Sequence, residues 1–220
     1  MKILALDTSG TDCAVCIYDA LSKTVLAEVT EDIGKGHAER LMALVDAAFS
    51  KVGLQLSDIG KIAVTIGPGS FTGIRVGVAA ARGFALSLGV EAVGVTTLET
   101  VARAHLKQNA GTPVAVAFDA KRDEVYLQVF DADGKALTPE QLISVEDAKS
   151  ALNDFSGDIV GTGIRVLRGI EPSSEKDHFP IAIVAEIASE KDASEAKPKP
   201  LYLRGPDARP QSGFALERQA

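Results

Sequence analysis

The chain of 220 residues is 46% hydrophobic and 24% charged, which fits a globular protein with one large core or two smaller ones. Its formal net charge of −7, from 23 Lys and Arg against 30 Asp and Glu, argues against a chain that grips nucleic acid alone, because such affinity comes from cations on phosphates. No run of basic residues compensates locally, so any tRNA or DNA is expected to be held mostly by a partner. The first apolar run, Ile3 to Leu6, stops at Asp7, and the longest apolar stretch, residues 73–90, carries Arg75 and Arg82. Neither a secretory signal nor a membrane span is expected, and the cytoplasm is the default location.

Residues 2–6 read as a buried strand, followed by the polar turn Asp7-Thr8-Ser9-Gly10. Further strands at 13–18 and 24–30 complete a meander. Leu41, Leu44, Val45, Ala48, Phe49 and Val52 recur at helical spacing and predict a helix over 37–52. A strand at 62–66 then stops at Gly67-Pro68-Gly69, and a helical pattern begins at once. In that helix Gly73, Gly77, Ala81 and Ala85 form a ridge of small residues. Each glycine costs a helix about 1 kcal/mol relative to alanine, so something packs closely there. The candidates are this domain's own sheet and a helix of another subunit.

A strand at 90–95 and a helix at 97–107 follow, and the polar residues 108–112 mark a domain boundary. Residues 113–118 and 124–130 read as a hairpin around Asp119-Ala120-Lys121-Arg122-Asp123. Residues 145–155 read as a helix, and 159–163 as a strand entering the turn Gly161-Thr162-Gly163. Residues 193–200 are expected to be an exposed connector, 201–204 an apolar anchor and 205–220 a loose tail. The division that results is a first lobe over 1–107, a smaller α/β lobe over 108–204 whose end packs back on the first, and the tail.

Chemistry concentrates at the glycine turn. A strand, a tight bend and a helix N-terminus offer outward N–H groups to an anion, which makes Gly67, Gly69 and Ser70 candidate phosphate contacts. Ser70 sits where a helix N-cap belongs and lacks the G-x-S-x-G spacing of a nucleophile elbow. Cys13 and Cys16 have the C-x-x-C spacing, but on a strand residues three apart face opposite ways, and no second Cys or His pair completes a zinc site. They are expected to be packed thiols. The three histidines, His37, His105 and His178, are expected at the surface or at helix ends.

Strands, helix, strand, glycine turn and helix, followed by a comparable second half, resemble the two-lobed α/β fold of actin, sugar kinases and Hsp70-like ATPases (the ASKHA fold). The resemblance narrows further on five segments. Ile66-Gly67-Pro68-Gly69-Ser70-Phe71-Thr72-Gly73-Ile74-Arg75-Val76-Gly77 looks like the signature of the TsaB family, also called YeaZ. Ile3 to Ser9, Gly36 to Leu41, Asp119 to Tyr126 and Pro200 to Arg204 fit the same family in order. Asp123 departs from the pattern, since glycine is expected in that hairpin turn.

That resemblance implies a bacterial protein needed to make threonylcarbamoyladenosine beside the tRNA anticodon. It implies a role as partner of the catalytic relative TsaD, together with the small ATPase TsaE, and pairing with itself when TsaD is absent. Contact with tRNA then comes only through the complex. TsaD carries a His-x-x-x-His metal pair downstream of the shared turn, and the corresponding positions here are Thr97 and Val101, neither able to replace imidazole. No metal, no cofactor and no catalysis are therefore expected, and the peptidase label carried by some relatives is set aside. Asp7, Thr8 and Ser9, in the turn that approaches phosphates in this superfamily, join Gly67, Gly69, Ser70, Gly161 and Gly163 as a possible vestigial nucleotide site. Leu41, Met42, Val45, Gly73, Arg75, Gly77, Val78, Ala81 and Arg82 are the candidate contacts to TsaD. The alternatives are an independent ATPase or kinase of the same fold, and an RNA-binding module, which the acidity disfavours.

Overall fold

A computed structural model describes residues 1–170, 176–194 and 196–204. The meander forms as its alternation requires: β1 (Lys2–Asp7), β2 (Asp12–Asp19) and β3 (Thr24–Asp32) pair antiparallel. Helix α1 (His37–Val52) and a short 3₁₀ turn lead to β4 (Ile59–Thr65), which pairs parallel with β1. Helix α2 (Phe71–Leu88) crosses over to β5 (Glu91–Val95), giving a five-stranded sheet in the order β3-β2-β1-β4-β5. Both faces of this sheet are apolar, and each is covered by helices. Leu4, Leu6, Val15, Ile62 and Val64 pack beneath α1 and α2. Ile3, Ala5, Cys16, Ala63 and Val93 face the other way.

The second sheet has four strands in the order β8-β7-β6-β9. Its members are β6 (Val114–Lys121), β7 (Glu124–Phe130), β8 (Gln141–Ser144) and β9 (Asp158–Val160). Helix α3 (Thr97–Gln108) lies on one face through Leu98, Ala102 and Leu106. Helices α4 (Val145–Ala151) and α5 (Gly163–Leu167) lie on the other, against Ala115, Ala117 and Leu127. The final helix α6 (Ile181–Glu190) returns to the first sheet and buries Ile181, Val184, Ala185 and Ile187 on it. Lys61 on β4 secures the end of α6 by donating to the carbonyls of Ala188 (3.2 Å) and Lys191 (2.9 Å).

The lobes therefore exchange helices. Residues 97–108 belong to the first lobe by chain order but pack on the second sheet, while α6 does the reverse. Beyond α6 the chain runs along the free edge of β5, where Gly94 N–H bonds to Ala196 O (2.7 Å) and Leu201 N–H to Ile66 O (2.8 Å). The expected loose tail lies outside the described residues.

Cys13 and Cys16 do face opposite sides of the first sheet, and both are fully buried. Burial pushes the Cys13 thiol up to about 11 and the Cys16 thiol to about 12, far from the reactive thiolate range. The hairpin between β6 and β7 turns through Arg122 (φ 57°) and Asp123 (φ 58°), both left-handed. Positive φ at both centres is the type I′ pattern of a two-residue hairpin, so Asp123 adopts the glycine-like conformation without being glycine.

The small-residue ridge of α2 has a clear assignment. A Cβ on Gly73 would lie 1.8 Å from Thr8 O, and one on Gly77 would lie 2.6 Å from Thr8 Oγ1. By length and composition alone α2 could cross a membrane, but Ile74, Val78 and Ala81 on the same face are core residues of the first lobe. Gly83 is different, because a Cβ there would meet no atom within 4 Å. Gly73→Ala should cost about 2–4 kcal/mol of stability, whereas Gly83→Ala should add about 0.5–1 kcal/mol by relieving helix propensity alone. Denaturant titration of the two variants checks both signs.

Candidate functional site

The turn after β1 and the bend after β4 meet at the carboxyl ends of adjacent central strands, where α/β sheets hold ligands. Asp7 ends β1 with no exposed surface. Its Oδ1 accepts from Ser9 N–H (2.9 Å), Ser9 Oγ (2.5 Å) and Thr65 Oγ1 (2.5 Å), while Oδ2 is buried without a partner. Burial holds the Asp7 carboxyl above its ordinary range, and the bonds from Ser9 and Thr65 oppose that only in part. Thr65, on β4, is the anchor that the sequence reading misses.

The glycine bend is wired from both sides. Ser9 C=O accepts the Ser70 N–H (2.7 Å), and a Cβ on Gly69 would sit 2.3 Å from that same carbonyl. Thr8 Oγ1 donates to Gly73 O (2.7 Å). Ser70 is the N-cap expected for α2: its Oγ accepts from Gly73 N–H at 3.2 Å. On the far side Gly67 O accepts from Thr97 N–H (2.9 Å) and Pro68 O from Thr97 Oγ1 (2.6 Å), which ties the bend to α3. Two backbone carbonyls thus stand against the start of α2, where an anion was expected. Val101, the other position aligned with the metal pair, packs in the second-sheet core. Among the described residues no cluster of three or more His, Cys, Asp or Glu could hold a metal ion.

A cleft of about 420 Å³ remains between the lobes. Ser9, Gly10, Thr11, Pro68, Gly69 and Ser70 form one wall; Phe118, Asp119, Lys121, Tyr126 and Thr162 form the other; Lys176, Asp177 and Phe179 cross between them. Both lysines already have carboxylates: Lys121 Nζ bonds to Asp119 (2.6 Å) and Lys176 Nζ to Asp32 (3.1 Å). Burial pushes the Asp177 carboxyl up, opposed by hydrogen bonds from Thr162. Gly161 and Gly163 do not face a ligand by necessity, since both sit against Ala117, and a Cβ on Gly161 would lie 2.3 Å from its carbonyl oxygen. Their close approach joins β9 to β6.

The histidines differ from expectation in one case. His37 is buried, with its ring against the carbonyl of Asp12 (3.1 Å), because the start of α1 leans on β2. His178 Nδ1 pairs with Asp12 Oδ2 (2.7 Å) and His105 Nε2 with Asp158 (2.8 Å). The expected partner contacts need a larger correction. Leu41, Val45, Val78 and Ala81 are core residues beneath the first sheet, and Gly73 and Gly77 are closed off by Thr8. Their side chains meet the molecule's own strands. Met42, Arg75 and Arg82 remain exposed.

Two sheets with exchanged helices and a cleft at their strand ends define a two-lobed α/β protein of the actin, sugar-kinase and Hsp70-like class. Residues 24–159 match the family model described as "TsaD: tRNA N6-adenosine threonylcarbamoyltransferase". The TsaB protein of Escherichia coli (strain K12), a "tRNA threonylcarbamoyladenosine biosynthesis protein", is 33% identical over 224 residues, covering 93% of this chain and 95% of the relative. The Bacillus subtilis (strain 168) protein of the same name is 33% identical over 150 residues, 67% of this chain and 64% of the relative. YeaZ from Pseudomonas aeruginosa superposes with a TM-score of 0.75 at 28% identity, covering 92% of this chain and 99% of that one. The chain belongs to the TsaB (YeaZ) family.

The upward shift of the Asp7 carboxyl gives a signed pH dependence. The unfolded chain ionises this group near its ordinary value while the folded chain holds the proton to higher pH, so the group's contribution is intact at low pH and lost as pH rises through the folded value. Asp7→Asn removes the ionisation. Stability of the variant relative to the unaltered protein should therefore increase between about pH 4.5 and 7.5, measured by urea titration at both pH values; a pH-independent difference would refute the assignment.

Proposed function

We propose that this chain is a non-catalytic subunit of the assembly that makes threonylcarbamoyladenosine in tRNA. It docks on a TsaD-type subunit, works beside a TsaE-type ATPase, and pairs with itself when alone. The likeness to the Escherichia coli TsaB protein along 93% of the chain supports the pathway. The observation that supports the non-catalytic reading is the close approach at the anion seat: Ser9 C=O takes the Ser70 N–H, and Oδ1 of the buried Asp7 accepts from Ser9 and Thr65. An independent ATPase or kinase needs that carboxylate to reach a nucleotide or its metal. Another solved structure is described as an uncharacterised Pseudomonas aeruginosa protein similar to the peptidase YeaZ (TM-score 0.74, 26% identity). Hydrolysis of peptides calls for a nucleophile with a base beside it. Here the Ser70 hydroxyl caps a helix, and His178 is held by Asp12.

For docking, the outer face of α2 is the best-supported surface. Ala79, Gly83 and Leu86 lie on one edge of that face, with Leu86 87% exposed, and Met42 extends the exposed apolar surface on α1. Gly83 serves nothing inside the molecule, and an exposed helical glycine fits the close approach of a partner helix. Gly83→Leu should leave the fold intact, or slightly more stable, and reduce co-purification with the TsaD-type subunit at least about tenfold, a loss of about 1.4 kcal/mol. Undiminished co-purification of the folded variant would sink the docking surface.

A further inference from the structure

Phe71, Arg75, Ala79, Arg82 and Leu86 are all exposed and follow one another at helical spacing, so they form a single stripe on α2. At the helical rise per residue the stripe is about 22 Å long, which suits one side of a standard interface. Its N-terminal end is built differently from the rest. Phe71 is 54% exposed and Tyr202 49%, and these are the exposed aromatic side chains among the described residues. The two rings meet, with 5.5 Å between their centroids. Arg75 stands on both: its guanidinium lies 3.8 Å above the Phe71 ring and 5.6 Å from the Tyr202 ring, and Nε donates to Tyr202 Oη (2.8 Å). Tyr202 comes from far along the chain, on the segment that follows α6. That segment is held against α2 and β4 by Arg82 Nε donating to Pro198 O (2.9 Å) and by Leu201 N–H donating to Ile66 O. Residues 71–88 and 196–204 contain no Asp or Glu, in a chain with 30 of them.

We propose that Phe71, Arg75 and Tyr202 are the anchor by which this face grips the TsaD-type subunit, seated on an apolar patch bordered by carboxylate. The proposal rests on the docking role above, and adds to it a second chain segment and the chemistry of the opposing surface. Aromatic and arginine side chains at the buried centre of an interface carry most of its binding energy. Stacking and the Tyr202 bond hold these three in place before a partner arrives, so little side-chain freedom is left to lose on docking. With Nε engaged by Tyr202, the terminal nitrogens of Arg75 are left to a carboxylate, which a planar guanidinium recognises in a fixed geometry. Neither α2 nor the segment 196–204 supplies that carboxylate. A second copy joined through the same face would set Arg75 and Arg82 against like charges, so the fit favours the other subunit.

The test titrates the full chain against the TsaD-type subunit by calorimetry at low and high salt, with self-association followed by sedimentation. Tyr202→Ala should weaken binding at least about tenfold, and Tyr202→Phe, which keeps the ring and loses only the bond to Arg75, should weaken it less. Arg75→Gln should cost more affinity at low salt than at high, because it removes one partner of an ion pair. Both side chains are half exposed or more, so the unfolding midpoint of each variant should stay close to that of the unaltered chain. If the unaltered chain binds, Gly83→Leu weakens binding and the Tyr202 and Arg75 variants do not, the anchor is overturned while the docking role stands. A lowered midpoint with full affinity in the folded variant overturns it as well, and leaves the stack as a fastening for the segment 196–204. Loss of self-association with unchanged affinity for the TsaD-type subunit overturns it in favour of a second copy. If the unaltered chain does not bind that subunit at all, the docking role fails and the anchor falls with it.

Discussion

Everything near the cleft depends on one close approach, between the backbone of Thr8 and Ser9 and the start of α2. Gly69 and Gly73 permit it because a methyl at either position would overlap a carbonyl oxygen. The contact shapes the helix N-terminus as well as the packing. A helix N-terminus exposes N–H groups that seek negative charge, and here the Ser9 carbonyl takes the Ser70 N–H and the Ser70 hydroxyl the Gly73 N–H. Asp7 is buried at the same junction, its Oδ1 fixed by Ser9 and Thr65. The bend that resembles a phosphate cradle in outline is also the joint between β1 and α2.

The same joint explains how the lobes are held. Gly67 and Pro68 turn their carbonyls toward Thr97, so the bend links the first sheet to the helix that covers the second. Helix α6 makes the reciprocal connection, and the segment from Lys176 to Phe179 adds ties to Asp32, Asp12 and the aromatic core beside Phe118. Beyond α6, residues 196–204 cover the edge of β5 and reach Glu124 at the second-lobe hairpin through Arg204. These crossings leave the outer face of α2 as the exposed helical surface with the least internal explanation.

Local periodicity made much of this legible. The 3.6-residue pattern placed α1 at its observed limits, and the Ser70 cap followed from its position before a helical run. Helix α6 escaped because Ile181 to Ala188 is apolar almost throughout; a helix sealed on one sheet and against α3 shows no polar face to betray its period. Strand β8 and helix α5 are too short to carry a pattern. The interface assignment failed for a physical reason: Leu41, Val45 and the α2 ridge share the spacing of a docking face, but spacing identifies a buried face without saying what buries it. The cleft's far wall, with Asp119, Thr162 and Asp177, and the bond from Arg82 to Pro198 arise from contacts between distant segments, beyond the reach of local pattern.

The most direct test of the central claim is tRNA modification reconstituted from the TsaD-type and TsaE-type subunits, a carbamoylated threonine donor and this chain. The account predicts that product formation requires the chain and survives Asp7→Asn, because that carboxylate serves the fold and not the reaction. Loss of product with a folded, complex-forming Asp7→Asn chain would contradict it.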